Sequence, residues 1–275
     1  MIVEVDSRGF FFPEKTSVCT KTFYLFVSDY RRSVDTFFFM LNLAHHADDA
    51  SVSAAKALVP FYQEGDAERK RLQETIDNPG RMARKLSEFS GVNSKNIAAN
   101  TAEAFLWYVS NIIQIAIKKR PEMIKSNETI RVEEILNFST RRELINYLID
   151  RKINSLSYGG LKQIERYFDE TLGIALFESD RERKLLRVFI EIRNVHAHNR
   201  GYINSLFLER VGSSLAELDL HFVEGKKAHL DFDQLCLFTK ACIETALKID
   251  KAVSRKFRLQ TKKIETWLAD KKPAQ

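Results

Sequence analysis

Apolar residues recur three or four positions apart along most of the chain, and this spacing predicts a mainly α-helical protein. In the N-terminal part, the periodic segments end at proline or glycine. We expect helices there at 28–47, 51–59, 66–77 and 81–89. Two stretches, 2–5 and 18–27, have a strand-like pattern instead. Residues 1–90 therefore form a mostly helical first region, and no motif in it indicates a role.

The second region, residues 91–275, has the pattern of a helical bundle. Its predicted helices lie at 93–120, 141–157, 161–172, 180–198 and 202–211. Thr140 and Ser179 each precede a glutamate by three positions, which is the capping box that opens a helix. The stretch 105–117 is apolar on nearly all sides, as expected for the central helix of a bundle.

The pattern changes twice near the C-terminus. Over 217–232, apolar and polar residues alternate around a turn at 224–226, which predicts a small β-hairpin on the bundle. From Asp233 to Leu268, one face stays apolar for about ten helical turns. A helix of that length would project from the domain or pack on a second chain.

Composition narrows the class of protein. The 275 residues include only 10 glycines and 5 prolines, which argues against turn-rich β folds and disordered chains. No apolar run reaches the roughly 18 residues of a membrane span. The N-terminus has acidic residues where a signal peptide has basic ones. We expect a soluble cytoplasmic protein with no membrane partner. The three cysteines (Cys19, Cys236, Cys242) form no CxxC, so neither a disulfide framework nor a zinc site is expected.

The net charge of +6 is concentrated in one segment. Residues 251–275 contain eight Lys or Arg against two acids, and the rest of the chain is balanced. With Phe257 and Trp267 between the cations, this segment could hold a phosphate backbone and stack a base. A solvated helix face is the alternative. The candidate RNA-binding residues are Lys251, Arg255, Lys256, Arg258, Lys262 and Lys263.

The stretch 191–201 offers side chains suited to RNA cleavage. An apolar helix there carries several polar groups in its last turns, followed by a glycine: Arg193, Asn194, His196, His198 and Gly201. Histidine exchanges a proton near neutral pH, and the planar fork of arginine offers paired donors to a phosphate. In cleavage without a metal, a base activates the 2′-hydroxyl for attack on the phosphate, and an acid protonates the leaving 5′-oxygen.

The order Arg193-Asn194-x-x-x-His198 resembles the signature of the HEPN family, an arginine, usually a polar residue, then a histidine four to six positions on. The order of helices over roughly 95–250 also fits. The resemblance implies a HEPN-like helical bundle and a homodimer in which the motifs of two chains meet. It also implies a metal-independent endoribonuclease that leaves 2′,3′-cyclic phosphates.

By this resemblance, Arg193 and His198 are catalytic and Asn194 supports them, and we add His196, Asn199 and Arg200 as further supporting candidates. Family members often act as toxins or in defence against foreign nucleic acid. RNA is then the expected substrate, and an antitoxin or another regulatory protein an expected partner. We expect no metal and no cofactor.

Three alternatives stay open. Residues five apart on a straight helix point about 140° apart, so Arg193 and His198 meet only if the helix end unwinds or two chains supply the site. His196 lies nearer Arg193 in angle. Arg193 and His198 could instead cap or pair within the fold.

The sequence also leaves two rival functions open. One is a non-catalytic helical module that binds RNA or a protein, and the other is a scaffold whose long last helix forms an obligate dimer.

Other motifs give less support for a function. The stretch 45–49 has metal-ligating residue types, but adjacent residues on a helix diverge by about 100°, so a solvated helix end is favoured. The sequence contains no GxxxxGK[ST], GxGxxG, HExxH or GxSxG. The sequence therefore lacks the motifs that usually indicate an ATPase, a dehydrogenase, a metalloprotease or an α/β-hydrolase.

Overall fold

The computed structural model describes residues 3–124 and 129–269, and these form eleven α-helices and four short strands. The helices are α1 (Lys21–Leu58), α2 (Ala67–Asp77), α3 (Arg81–Glu88), α4 (Ser90–Lys119), α5 (Val132–Leu136), α6 (Arg141–Tyr158), α7 (Gly160–Tyr167), α8 (Asp180–His198), α9 (Ser205–Glu217), α10 (Phe232–Phe257) and α11 (Ile264–Ala269). The strands are β1 (Val3–Val5), β2 (Phe11–Pro13), β3 (Val18–Thr20) and β4 (Thr261–Lys263). The structure confirms the prediction of a mainly α-helical fold with a small β component.

The strands pair in two antiparallel ribbons. β1 pairs with β2, with Glu4 opposite Phe12. β3 pairs with β4, with Cys19 opposite Lys262, and so joins the two ends of the chain. The predicted turn near Glu224 is present, with Gly225 at positive φ. The segment around it does not form the predicted hairpin, because Lys227 forms an isolated bridge with Tyr202 in the preceding loop.

Side-chain caps place the starts of α6 and α8 where the sequence predicted them. The Thr140 hydroxyl accepts the N–H of Glu143 at 3.2 Å, and the Ser179 hydroxyl accepts that of Glu182 at 3.1 Å. Both caps satisfy N–H groups that have no partner within the helix. The bounds of α2, α3, α6 and α8 agree with the prediction to within a residue or so, although α2 and α3 begin without a side-chain cap.

The first helix is longer than predicted. The predicted helices at 28–47 and 51–59 are parts of α1, a single helix of 38 residues. The strand predicted over 18–27 was wrong beyond Thr20, because α1 begins there. The Thr20 hydroxyl caps this helix by accepting the N–H of Phe23 at 3.2 Å. The stretch 45–49 thus lies inside α1. Asp48 is buried there and accepts the N–H groups of Met82 and Ala83 at the start of α3.

The hydrophobic core is centred on α4, which packs against α1, α6, α8 and α10. Phe26 of α1 stacks on Tyr108 of α4 with 5.7 Å between ring centroids. Phe189 of α8 stacks on Phe238 of α10 at 5.1 Å. The packing of α4 against four other helices confirms it as the central helix. The division of the chain at residue 90 stays a prediction, and side chains from both sides of it enter this core.

The C-terminal segment folds back onto the protein. The predicted ten-turn projecting helix was wrong, since α10 ends at Phe257 and Arg258 adopts a left-handed conformation with φ of 51°. β4 and α11 then return along β3, and the indole N–H of Trp267 donates to the carbonyl of Cys19 at 3.1 Å. Phe257 and Trp267 are 5% and 8% exposed, so neither ring is available to stack on a base.

A buried carboxylate joins α10 to the start of α1. Asp250 is 1% exposed and accepts the backbone N–H of Thr20 at 2.8 Å and its hydroxyl at 2.5 Å. Burial raises the pKa of Asp250 to about 6, although hydrogen bonds from Thr20 and Tyr108 act in the opposite direction. This contact therefore makes the stability of the fold depend on pH.

We expect Asp250→Asn to remove part of that pH dependence. Because the folded protein holds this proton more tightly than the unfolded chain, the stabilisation is complete below pH 3.8 and is lost as the pH rises through about 6. From about pH 3 to about pH 7, the free energy of unfolding of the variant should rise relative to wild type by roughly 3 kcal/mol. Denaturant unfolding at a series of pH values measures this difference.

Asp48→Asn is the control of opposite sign. Backbone N–H groups of Met82 and Ala83 lower the pKa of Asp48, so this substitution should cost stability at neutral pH and not in strong acid. A difference between Asp250→Asn and wild type that stays constant with pH would contradict the role assigned to the buried carboxyl.

In the part of the chain that the structure describes, no helix has the length and apolarity needed to cross a membrane.

Candidate functional site

The predicted motif lies at the end of α8, where the sequence placed it. Leu186, Phe189 and Ile192 bury the inner face of this helix against the core. After His198 the chain leaves the helix through Arg200 and Gly201, both at positive φ (52° and 84°). Asn194, His196 and Arg193 are therefore held by a regular, well-anchored helix.

Arg193 is fixed by a residue that the sequence analysis did not select. Its Nη2 lies 2.5 Å and its Nε 3.2 Å from Oε1 of Glu103 on α4. Its Nη1 donates to Oδ1 of Asn194 at 3.2 Å, so the predicted pair Arg193 and Asn194 is in direct contact. The sequence did set Glu103 apart as a candidate. It is the only carboxylate between Glu88 and Glu122, and it stands in a largely apolar stretch.

The ion pair between Arg193 and Glu103 is accessible from solvent. The two side chains are 25% and 55% exposed. Pairs of this kind contribute about 0–1 kcal/mol, because water screens the charges. A phosphate could thus replace Glu103 as the partner of Arg193 at small cost.

His196 lies on a neighbouring face and is half-buried. Burial lowers its pKa, and the nearby Lys95 lowers it further, so the imidazole is neutral at neutral pH. Its Nδ1 is buried and has no hydrogen-bond partner among residues 3–124 and 129–269. A Cβ at Gly201 would lie 2.7 Å from this nitrogen, so only glycine leaves room for the ring.

His198 is exposed at the last position of α8, and the hydrogen bonds of Arg193 go to Glu103 and Asn194 instead. The helix continues without unwinding to His198, so the two side chains stay about 140° apart. Of the supporting candidates, Asn199 donates from Nδ2 to the carbonyl of Tyr202 at 2.6 Å and so fixes the turn. Arg200 is exposed within that turn.

The basic residues of the C-terminal segment do not form one stripe, because the predicted helix is broken. Lys256 donates to the carbonyls of Leu172 and Gly173 at 2.6 and 3.2 Å. Lys262 lies over the Trp267 ring at 4.7 Å, and Lys263 pairs with Glu265 at 3.4 Å. Lys251, Arg255 and Arg258 are exposed. As a set, these six residues stay a predicted RNA-binding group.

Metal-ligating residue types are dispersed over the described residues. Among them, no group of three His, Cys, Asp or Glu side chains is close enough to hold a metal ion. Cys19, Cys236 and Cys242 are buried free thiols. The candidate site therefore consists of Arg193, Asn194 and Glu103, with His196 and His198 on other faces of the same helix end.

Comparisons of this chain with protein families, with curated proteins and with solved structures found no match.

Proposed function

We propose that the protein is a metal-independent endoribonuclease whose site is completed by two copies of the chain. The observation that supports this most is the accessible Arg193, held against Asn194 at the end of α8 with two histidines in the same turns. Arginine can bind the scissile phosphate, and histidine can take the proton of the attacking 2′-hydroxyl or give one to the leaving 5′-oxygen, so both residue types that this cleavage uses are present.

In this mechanism, Arg193 leaves Glu103 and binds the scissile phosphate through its planar fork, and Asn194 holds the guanidinium in place. His198 then acts as acid or base, and solvent water carries out the complementary proton transfer. Because His198 and Arg193 of one chain diverge on α8, His198 would come from a second copy related by a two-fold axis. An exposed histidine at a helix end suits this role, since it is free to meet the partner chain.

His196 is the candidate for the same step within one chain. It is closer to Arg193 in angle, but its Nδ1 is enclosed beside Gly201. Burial also lowers its pKa, which favours a proton acceptor over a donor. Replacing His196 and His198 separately shows which of them transfers the proton.

Cleavage of a mixed-sequence RNA in EDTA tests the proposal. We expect wild type to cut and to leave 2′,3′-cyclic phosphate ends, and we expect His198→Ala to lose at least about 100-fold in rate, the usual contribution of a general acid or base. His221→Ala, which removes another exposed histidine, should cleave like wild type. Equal cleavage by wild type and His198→Ala, after repurification, would refute the assignment of His198.

A non-catalytic RNA- or protein-binding module is the second candidate. Within one chain Arg193 forms an ion pair with Glu103, and an arginine that served only to stabilise the fold would form the same pair. Binding of RNA without any cleavage by wild type would favour this function.

A further inference from the structure

A groove with both polar and apolar side chains lies between α1 and α4 and reaches Glu103 of the candidate site. It consists of two cavities of about 290 and 410 Å³ that share Arg32, Ser33 and Asn100. Glu103, the partner of Arg193, lines the second cavity. We call this the α1–α4 groove. Its polar lining includes Asp29, Arg32, Asn93, Asn96 and Asn100, and its apolar lining includes Phe37, Met40, Ile97 and Trp107.

Side-chain amides dominate one wall of the α1–α4 groove. Asn93, Asn96 and Asn100 follow each other at spacings of three and four, so they share one face of α4. The amide nitrogen of Asn93 is buried and has no hydrogen-bond partner among the described residues. A buried donor without an acceptor is uncommon and costly, so this amide is under-satisfied in the fold.

The chemistry of the α1–α4 groove matches single-stranded nucleic acid. An asparagine amide offers one donor and one acceptor, the pattern of a base edge, and a carboxylate such as Asp29 accepts from an exocyclic amine. Trp107 is 43% exposed at one end and offers a ring for stacking. Arg32 is 71% exposed and only loosely paired with Asp29, at 3.7 Å, which leaves it available to a phosphate.

We propose that the α1–α4 groove binds a single-stranded segment of RNA and delivers its phosphate to Arg193. This inference rests on the proposed ribonuclease function. From Asn93 to Trp107 the groove extends about 21 Å along α4, enough for a few nucleotides. Bases lie in the groove between the asparagines and Trp107, and phosphates lie toward Arg32 and Arg193.

The test uses a 2′-O-methylated RNA decamer, which has no 2′-hydroxyl to attack and so reports binding alone. The protein has two tryptophans, and Trp267 is buried. Binding should therefore quench the fluorescence of Trp107, and Trp107→Phe should abolish the quenching while it keeps most of the affinity.

Trp107→Ala and Asn96→Ala should each weaken binding roughly tenfold or more, because one stacked base or one amide contact is lost. Arg32→Ala should weaken binding and reduce its salt dependence by about one phosphate contact. Arg71→Ala is the matched control, since Arg71 is 79% exposed, pairs with Glu68 at 3.8 Å and lies outside both cavities. It should bind like wild type.

Cleavage of unmodified RNA by the same variants separates the two proposals. If wild type cleaves RNA and the groove variants bind and cleave like wild type, the groove proposal fails and the proposed function stands. If wild type binds the decamer with quenching at Trp107 but cleaves nothing, the groove stands and the ribonuclease fails. If wild type does not bind the decamer, the groove proposal is overturned.

Discussion

Arg193→Ala and His198→Ala, each inactive alone, should together recover about a quarter of wild-type cleavage when equal amounts are mixed and allowed to exchange subunits. In a two-fold dimer with shared sites, Arg193 of one copy works with His198 of the other. A mixed dimer then has one site without either residue and one intact site. Since about half of the dimers are mixed, about a quarter of all sites are restored.

This prediction follows from the geometry of α8. The helix is regular to His198, so Arg193 and His198 of one copy point about 140° apart and a second copy is the better source of the histidine. Each single variant should lose about 100-fold or more, since one removes the donor to the phosphate and the other removes the proton-transfer group. Cleavage rates of the separate and mixed proteins are the measurement.

The controls are chosen to isolate the shared site. Arg187→Ala removes an exposed arginine from the same helix and should keep wild-type activity in every mixture. A mixture of Arg193→Ala with the double variant Arg193→Ala/His198→Ala has no intact site in any dimer and should stay inactive. Failure of the two single variants to complement, with subunit exchange demonstrated, would mean that each chain acts alone, with His196 as the remaining histidine near Arg193.

Trp267→Ala should lower the free energy of unfolding by roughly 3–5 kcal/mol, the usual cost of removing a large buried aromatic ring. Trp267 is 8% exposed and donates its indole N–H to the carbonyl of Cys19 in β3. The substitution therefore leaves a cavity and an unpaired carbonyl where the C-terminal segment covers the start of α1. Denaturant unfolding measures the loss.

Leu268→Ala is the matched control, because Leu268 is the next residue and is 47% exposed. Its effect should stay within about 0.5 kcal/mol. A projecting helix would expose both side chains equally, and the two substitutions would then cost similar, small amounts. Similar values for both would therefore contradict the return of the C-terminal segment to the body of the protein.

The structure also changes how the basic segment contributes to RNA binding. On a continuous helix, all six candidate cations would extend from the protein together. In the folded chain Lys256 binds backbone carbonyls and Lys262 covers the Trp267 ring, while Arg255 and Arg258 stay exposed. Any electrostatic contribution to RNA binding should thus come from fewer groups than the charge count implies.

Local sequence determined the elements that depend on neighbours a few positions away. Ser179 and Glu182 set the start of α8, and the end of the helix follows from the turn at Asn199 and Gly201, so its bounds were predicted correctly. The positions of Arg193, Asn194 and His198 on that helix followed directly. Capping and periodicity act within one or two turns, which is why they can be detected without tertiary contacts.

Only the tertiary structure decided which distant groups meet. The apolar spacing from Asp233 to Leu268 fits one long helix, but the chain turns at Arg258, a non-glycine residue in a left-handed conformation that has no sequence signal. The partner of Arg193 is Glu103, ninety residues away, and that of Asp250 is Thr20, at the other end of the chain. Such pairings depend on how whole helices pack, because the same amphipathic pattern is satisfied by any apolar surface of suitable shape.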